Sequence, residues 1–124
     1  MNLVKGKSVL TISGQMGSGK SMAAVATAFL VAKAGGQVLF IDGLGYLDYF
    51  EVLGGMPEGI TVIQPGPDGQ PVPFVAADYV QSARIYDLVV LDHLGYDDPA
   101  AFLIQAEELA RTAKVRVLVT TIKS

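Results

Sequence analysis

A glycine-rich segment near the start of the chain has the residue types and spacing needed to bind phosphate. Residues 14–21 read GQMGSGKS and satisfy the pattern G-x-x-x-x-G-K-[ST] at every specified position. The glycines allow a tight turn whose backbone N–H groups point inward, and a helix that begins near Lys20 adds the positive end of its dipole. Lys20 is expected to contact the β- and γ-phosphates of a nucleotide, and the Ser21 hydroxyl is expected to bind Mg²⁺. The predicted nucleotide-binding residues are Gly14, Gln15, Met16, Gly17, Ser18, Gly19, Lys20 and Ser21.

Two carboxylates stand at the ends of apolar runs later in the chain. Asp92 follows the run 88–91, and we expect its carboxylate to hold Mg²⁺ through water or through the Ser21 hydroxyl. Asp42 follows the preceding apolar run, 38–41, in the same way. It competes with Asp92 for the metal, and the alternative is that it caps a turn. The predicted metal ligands are Ser21 and Asp92.

The elements that must position these residues alternate between strand and helix. Apolar, β-branched runs predict strands over 8–13, 37–42, 60–64, 88–92 and 115–120, and helical patterns cover 20–34, 48–53, 74–83 and 99–113. Asp98 and Pro99 form a helix start, and the proline-rich stretch 65–73 is an irregular loop. Strands that are apolar on both faces predict an α/β fold: a three-layer α/β/α sandwich with a mostly parallel sheet of about five strands. Ligands of such sheets bind at the carboxyl ends of the strands, which here carry Gly14, Asp42, Gln64, Asp92 and Thr120–Thr121.

Composition narrows the class of protein. The chain has 124 residues, 51% hydrophobic and 17% charged, which fits one domain over 1–124. It has no cysteine and one histidine, so a disulfide framework, a thiolate nucleophile and a multi-histidine metal site are excluded, and a reducing cytoplasm is the expected location. The longest largely apolar run, 22–32, is too short to span a bilayer, so we expect a buried helix and no membrane span.

The charge distribution gives little reason to expect a nucleic-acid partner. The net charge is −3, and no lysine or arginine occurs between Lys33 and Arg84. Basic residues collect near the ends of the chain, notably at Arg111, Lys114, Arg116 and Lys123, where they form either a small positive edge or ordinary solvated charges on the last helix and strand. Any contact with DNA would therefore need this basic edge, repeated in several copies of the chain that assemble together.

Residues 14–21 and 88–92 together resemble the P-loop NTPases, and the similarity in layout covers nearly the whole chain. The order of elements is similar to that of the RecA-like and DnaB-like ATPases, which implies ATP and Mg²⁺ as ligands, a homo-oligomer and a DNA-associated process of the recombination, helicase or packaging type. The resemblance also implies that Thr120 or Thr121 contacts the γ-phosphate. The family places a water-activating glutamate where this chain has Gly43 or His93. Asp42 and His93 are then the candidates for that role, and hydrolysis is expected to be slow or to be completed by a neighbouring subunit.

Other interpretations stay open at this point. The chain also resembles the ParA/MinD-like partitioning ATPases, although Gln15 replaces their signature lysine. Zot-like and FtsK/HerA-like packaging and export motors use similar loops, but they usually have glutamate at the position of His93. A regulatory or assembly module that binds ATP with negligible turnover fits the missing glutamate. The length indicates a minimal or truncated ATPase core, and the absence of an N-K-x-D motif favours ATP over GTP.

Overall fold

In the part of the chain that the structure describes, the sheet has five strands and every pairing is parallel. The computed structural model describes residues 8–14, 19–43, 54–55, 57–63, 74–94 and 98–122. Within them the strand order is β1-β5-β4-β2-β3. The strands are β1 (Val9–Gly14), β2 (Val38–Asp42), β3 (Ile60–Ile63), β4 (Leu88–Asp92) and β5 (Arg116–Ile122). The helices described are α1 (Lys20–Lys33), α2 (Val80–Ala83) and α3 (Pro99–Ala113), with a 3₁₀ turn at Ala76–Asp78. The predicted α/β class with a parallel sheet is confirmed.

The interior strands β2 and β4 are buried at every residue because helices cover both faces of the sheet. Successive side chains of a strand point to opposite faces. Val38 and Phe40 of β2 therefore pack in one apolar cluster with α1, whereas Leu39 and Ile41 pack in a second cluster with α3. This double burial accounts for the uninterrupted apolar runs in the sequence.

Local signals in the sequence set the ends of the two long helices. Gly19 precedes α1 with a φ of 86°, a left-handed conformation that glycine adopts without strain. The carboxylate of Asp98 accepts a hydrogen bond from the backbone N–H of Ala101 at 3.2 Å, and Pro99 occupies the first turn of α3. The predicted helix starts at Lys20 and Pro99 are confirmed.

The prediction of a single helix over 74–83 is wrong in part. The segment forms the 3₁₀ turn and the single turn of α2, because tertiary contacts to α3 fix its backbone. The Phe74 ring stacks on Tyr79 at 5.3 Å and meets Phe102 edge-on at 5.8 Å. The backbone N–H of Ala76 donates to the Gln105 side chain at 2.9 Å.

The predicted ends of several elements shift by one or two residues. β5 continues to Ile122, so Thr120 and Thr121 lie inside the strand, although the prediction ended it at Thr120. β1 runs from Val9 to Gly14, one residue later than predicted. The predicted helix 48–53 and the loop 65–73 lie outside the described residues. Among the described helices, none combines the length and the apolarity needed to cross a bilayer.

Candidate functional site

The candidate site lies at the carboxyl ends of β1, β5 and β4. The helix that follows β1 packs on one face of the sheet, and the helix that follows β4 packs on the other. β5 lies between these two strands. In open parallel sheets, the place where successive helices leave toward opposite faces forms a crevice that binds ligands.

Three polar side chains at this end of the sheet share the face covered by α1. Asp42, Asp92 and Thr120 lie two residues beyond Phe40, Val90 and Leu118, which belong to the apolar cluster under α1. Asp42 and Asp92 are also direct partners in the β2–β4 register. Asp92 is 1% exposed and Thr120 is fully buried, so both side chains are shielded from solvent in the folded protein. Buried polar groups require partners, and here they form a network.

The Asp92 carboxylate is the centre of that network. Its Oδ1 atom accepts hydrogen bonds from the Ser21 hydroxyl at 3.1 Å and from the Thr120 hydroxyl at 2.9 Å. The Thr120 oxygen in turn accepts a hydrogen bond from the backbone N–H of His93 at 3.0 Å. Ser21 lies in the first turn of α1, so this network joins the start of α1 to the ends of β4 and β5.

Lys20, the first residue of α1, supplies the positive charge of the site. Its side chain is only 7% exposed. Burial raises the pKa of Asp92 above the ordinary value, and the Asp42 charge adds to that rise. The hydrogen bonds from Thr120 and Ser21 and the Lys20 charge act in the opposite direction and favour the ionised carboxylate. The site therefore holds two buried carboxylates close to one buried ammonium group.

His93 follows Asp92 in a left-handed backbone conformation, with φ at 59°. Burial lowers the pKa of its imidazole, the Lys20 charge lowers it further, and the Asp42 charge opposes both effects. The ring is therefore neutral at pH 7 and retains a nitrogen that accepts a proton.

Gly43 packs directly against the backbone at His93. Its N–H donates to the Asp92 carbonyl oxygen at 2.8 Å. A Cβ atom at position 43 would overlap the His93 carbonyl oxygen and would lie 2.8 Å from the Leu94 Cδ2 atom. A larger residue could not be placed there unless the two strand ends moved apart.

The structure brings together six of the predicted site residues: Lys20, Ser21, Asp42, Asp92, His93 and Thr120. Gly14 ends β1 and Gly19 precedes α1, so they flank the predicted phosphate loop. The loop residues Gln15, Met16, Gly17 and Ser18, and the C-terminal Lys123, lie outside the described residues.

Thr121 is separated from the network because it faces the other side of the sheet. It follows Val117 and Val119 of the cluster under α3, and its hydroxyl is 2.8 Å from the Ser13 hydroxyl of β1. Sequence reasoning missed both this pair and the close contact of Gly43 with the end of β4. A signal for the paired strand ends does exist in the sequence, since residues 42–46 and 92–96 share the pattern Asp-x-Leu-Gly-Tyr.

The oxygen ligands suit a hard divalent cation bound together with a phosphate ligand. Magnesium in nucleotide sites is usually held by one or two carboxylates, a hydroxyl, water and substrate phosphates. Ser21 and Asp92 provide a hydroxyl and a carboxylate oxygen within 3.1 Å of each other. Among the described residues, no group of three or more His, Cys, Asp or Glu side chains could hold a metal by itself. The residues present therefore fit a cation whose remaining ligands come from a bound phosphate and water.

No protein-family model matches the chain, and no curated protein matches it. A function for this chain is therefore inferred from its own residues and geometry.

Proposed function

We propose that this chain is a P-loop NTPase with a three-layer α/β/α core that binds Mg²⁺–ATP at residues 14–21 and at the adjoining ends of β4 and β5. The observation that carries the proposal is the hydrogen bond from Ser21 to Asp92 beside the buried Lys20. It joins the end of the phosphate-binding pattern to an acidic strand end 71 residues later. A glycine-rich turn of purely structural use does not require this acid, hydroxyl and ammonium group in one place.

Each group has a separate task in the proposed site. The backbone N–H groups of the loop and the Lys20 ammonium group balance the charge of the β- and γ-phosphates. Ser21 and Asp92 hold Mg²⁺, which supplies further neutralisation of the phosphate oxygens when it is bound. Burial raises the pKa of Asp92, and the hydrogen bonds from Thr120 and Ser21 and the Lys20 charge oppose that rise, so these groups support the carboxylate as an acceptor.

Two residues are candidates to activate the attacking water. The neutral imidazole of His93 is able to accept a proton at pH 7, and Asp42 offers a buried carboxylate on the neighbouring strand. The glutamate that the resemblance places after β2 is replaced by Gly43, where even a Cβ atom would overlap the backbone of His93. We therefore propose slow hydrolysis, or hydrolysis that a residue of a neighbouring subunit completes.

For the biological role, we propose a RecA-like oligomeric ATPase in a DNA-associated process. The chain order of phosphate loop, acidic strand end and polar strand end supports this choice. The exposed Arg111, Lys114 and Arg116 lie at the end of α3 and the start of β5, away from the candidate site. Arg111 is paired with Glu108, so a DNA contact at that location would depend mainly on Lys114 and Arg116, and it would leave DNA and nucleotide in separate places. The ParA/MinD-like switch remains the alternative among ATPases.

The contact at Gly43 favours a second candidate function. A nucleotide-binding assembly or regulatory module requires the phosphate loop and the metal ligands but no water-activating glutamate. ATP binding without hydrolysis would then be intrinsic to the chain, and it would not result from the absence of a partner.

The test measures ATP binding by calorimetry with Mg²⁺ and with EDTA, and then the rate of ATP hydrolysis over a range of protein concentrations with and without single- and double-stranded DNA. Binding that requires Mg²⁺, together with DNA-stimulated turnover, supports the DNA-associated ATPase. Binding with a near-zero rate under all conditions supports the assembly module. No binding of ATP under either condition contradicts both proposals.

A further inference from the structure

Thr120 has the most fully buried hydroxyl group of the site, and both of its hydrogen-bonding functions are engaged. The residue is 0% exposed. Its hydroxyl donates to Asp92 Oδ1 at 2.9 Å, and its oxygen accepts the N–H of His93 at 3.0 Å. The side chain thus connects the carboxylate of one residue to the backbone of the next.

The direction of these bonds bears on what Thr120 can do for a nucleotide. A hydroxyl group has one hydrogen, and a phosphate oxygen is only an acceptor. Direct contact with a γ-phosphate would take that hydrogen from Asp92, which has lost water contact through burial. The buried Asp92 carboxylate would then lose one of its two hydroxyl donors, at a cost in free energy.

The neighbouring Thr121 offers a natural comparison on the same strand. It faces the opposite side of the sheet, where its hydroxyl pairs with Ser13 at 2.8 Å. The two threonines are adjacent and differ in partner, because strand side chains alternate between faces. Thr120 belongs to the network of Asp92, and Thr121 joins β5 to β1.

We propose that Thr120 is a positioning residue that fixes the Asp92 carboxylate for Mg²⁺ and holds the left-handed turn at His93, in place of the direct phosphate contact expected from the sequence. The inference rests on the proposed Mg²⁺–ATP site. Partners that orient a metal ligand from outside typically change metal affinity by about 10- to 100-fold when they are removed. We therefore expect loss of the Thr120 hydroxyl to weaken ATP binding through weaker binding of Mg²⁺.

The experiment compares Thr120→Val, Thr120→Ser and Thr121→Val. Valine keeps the shape of threonine and removes the hydroxyl, whereas serine keeps the hydroxyl. In Thr120→Val, the Mg²⁺ concentration for half-maximal ATP binding should rise about 10-fold, while the affinity for ATP in EDTA stays at the wild-type value. Thr120→Ser and Thr121→Val should both retain the Mg²⁺ dependence of the wild type. Amide hydrogen exchange at His93 should become faster in Thr120→Val and stay unchanged in Thr121→Val.

Three results would overturn the inference. An equal loss of ATP affinity in Mg²⁺ and in EDTA would show a direct phosphate contact. A lower melting temperature with unchanged Mg²⁺ dependence would show a structural role alone. Wild-type protein that binds no ATP would instead overturn the proposed function and the inference with it. If Thr120→Val does not fold, Thr120→Ala takes its place, because the smaller side chain leaves space for water to reach the His93 amide.

Discussion

The two faces of the sheet belong to the same strands but carry different side chains. Under α1 the helix contributes small side chains, including Ala24 and Ala28, and the strand ends carry Asp42, Asp92 and Thr120. Under α3 the helix contributes the large side chains of Phe102 and Leu109 together with three alanines, Ala106, Ala110 and Ala113. On the α3 face, at the carboxyl end of the sheet, the hydroxyl groups of Ser13 and Thr121 form a hydrogen bond.

The comparison teaches that a shift of one position along a strand decides whether a polar residue joins the site or supports the core. The N-terminal turn of α1 lies at the strand ends, where the Ser21 hydroxyl donates to Asp92. On the opposite face, Phe102 and Leu109 of α3 pack in the apolar core. Binding and stability should therefore respond to changes on different faces.

The largest expected effect is on stability, from Phe102→Ala on the α3 face. Phe102 is buried and meets Phe74 edge-on at 5.8 Å. Its removal should lower the free energy of unfolding by about 3–5 kcal/mol, as for other buried aromatic residues. Chemical denaturation measures this change. Ile104→Ala, at an exposed position of the same helix, is the matched control and should shift stability by less than about 0.5 kcal/mol. Loss of ATP binding by the folded Phe102→Ala protein would contradict the separation of the two faces.

Lys20→Ala is expected to have the next largest effect, on binding rather than on stability. A charge-assisted hydrogen bond contributes roughly 1.5–3 kcal/mol, so the affinity for ATP should fall on the order of 100-fold, to undetectable levels in most assays. Calorimetry with Mg²⁺–ATP measures the loss, and circular dichroism checks that the fold is intact. Lys33→Ala changes the last residue of the same helix and should bind ATP normally. Normal turnover by Lys20→Ala would disprove the site.

A smaller effect is expected from Asp98→Ala, which removes the cap of α3. The lost hydrogen bond to the Ala101 N–H should lower the free energy of unfolding by about 1 kcal/mol. Affinity for ATP should not change, because α3 lies on the face away from the network. Thermal unfolding of Asp98→Ala and of the exposed control Asp78→Ala measures the difference. Equal melting temperatures of the two variants would mean that the cap contributes nothing.

The smallest expected effect concerns pH. Burial lowers the pKa of His93 in the folded protein below that of the unfolded chain, so the unfolded state binds more protons as the pH falls below about 6.5. Stability should therefore decrease from that pH downward and level off below the folded pKa. His93→Asn, which tolerates the left-handed backbone, should lack this decrease.

Asp92 acts with the opposite sign, since its raised pKa makes stability increase as the pH falls through it. Because Asp92 is present in both proteins, the difference between wild type and His93→Asn isolates the histidine. Unfolding curves at several pH values between 5 and 8 provide the measurement. Parallel curves for the two proteins would contradict the assigned shift.

The parts of the fold that depend on neighbouring residues in sequence were predictable. The apolar run ending at Asp92 specifies β4, and Asp98 with Pro99 specifies the start of α3, because the cap and the fixed φ of proline act locally. The segment 74–83 was not predictable, since the packing of Phe74 on Tyr79 and Phe102 overrides its helical pattern.

The candidate site was predictable in its residue types and not in its connections. The chain order gives no indication that β5 lies between β1 and β4, and this position is what brings Thr120 to Asp92. The different roles of Thr120 and Thr121 depend on β5 extending to Ile122. If the strand ended at Thr120, as predicted, Thr121 would lie beyond the sheet and would face neither side of it.

The tight contact between Gly43 and the His93 carbonyl oxygen has a consequence for protein engineering. A designer who wished to accelerate hydrolysis by installing a glutamate after β2 would have to separate two strands that are joined through the Gly43 N–H and the Asp92 carbonyl oxygen. Such a substitution would disturb the end of β4 that carries Asp92. A carboxylate supplied from a second chain avoids this conflict, so a group added in trans is the better route to faster hydrolysis by the proposed ATPase.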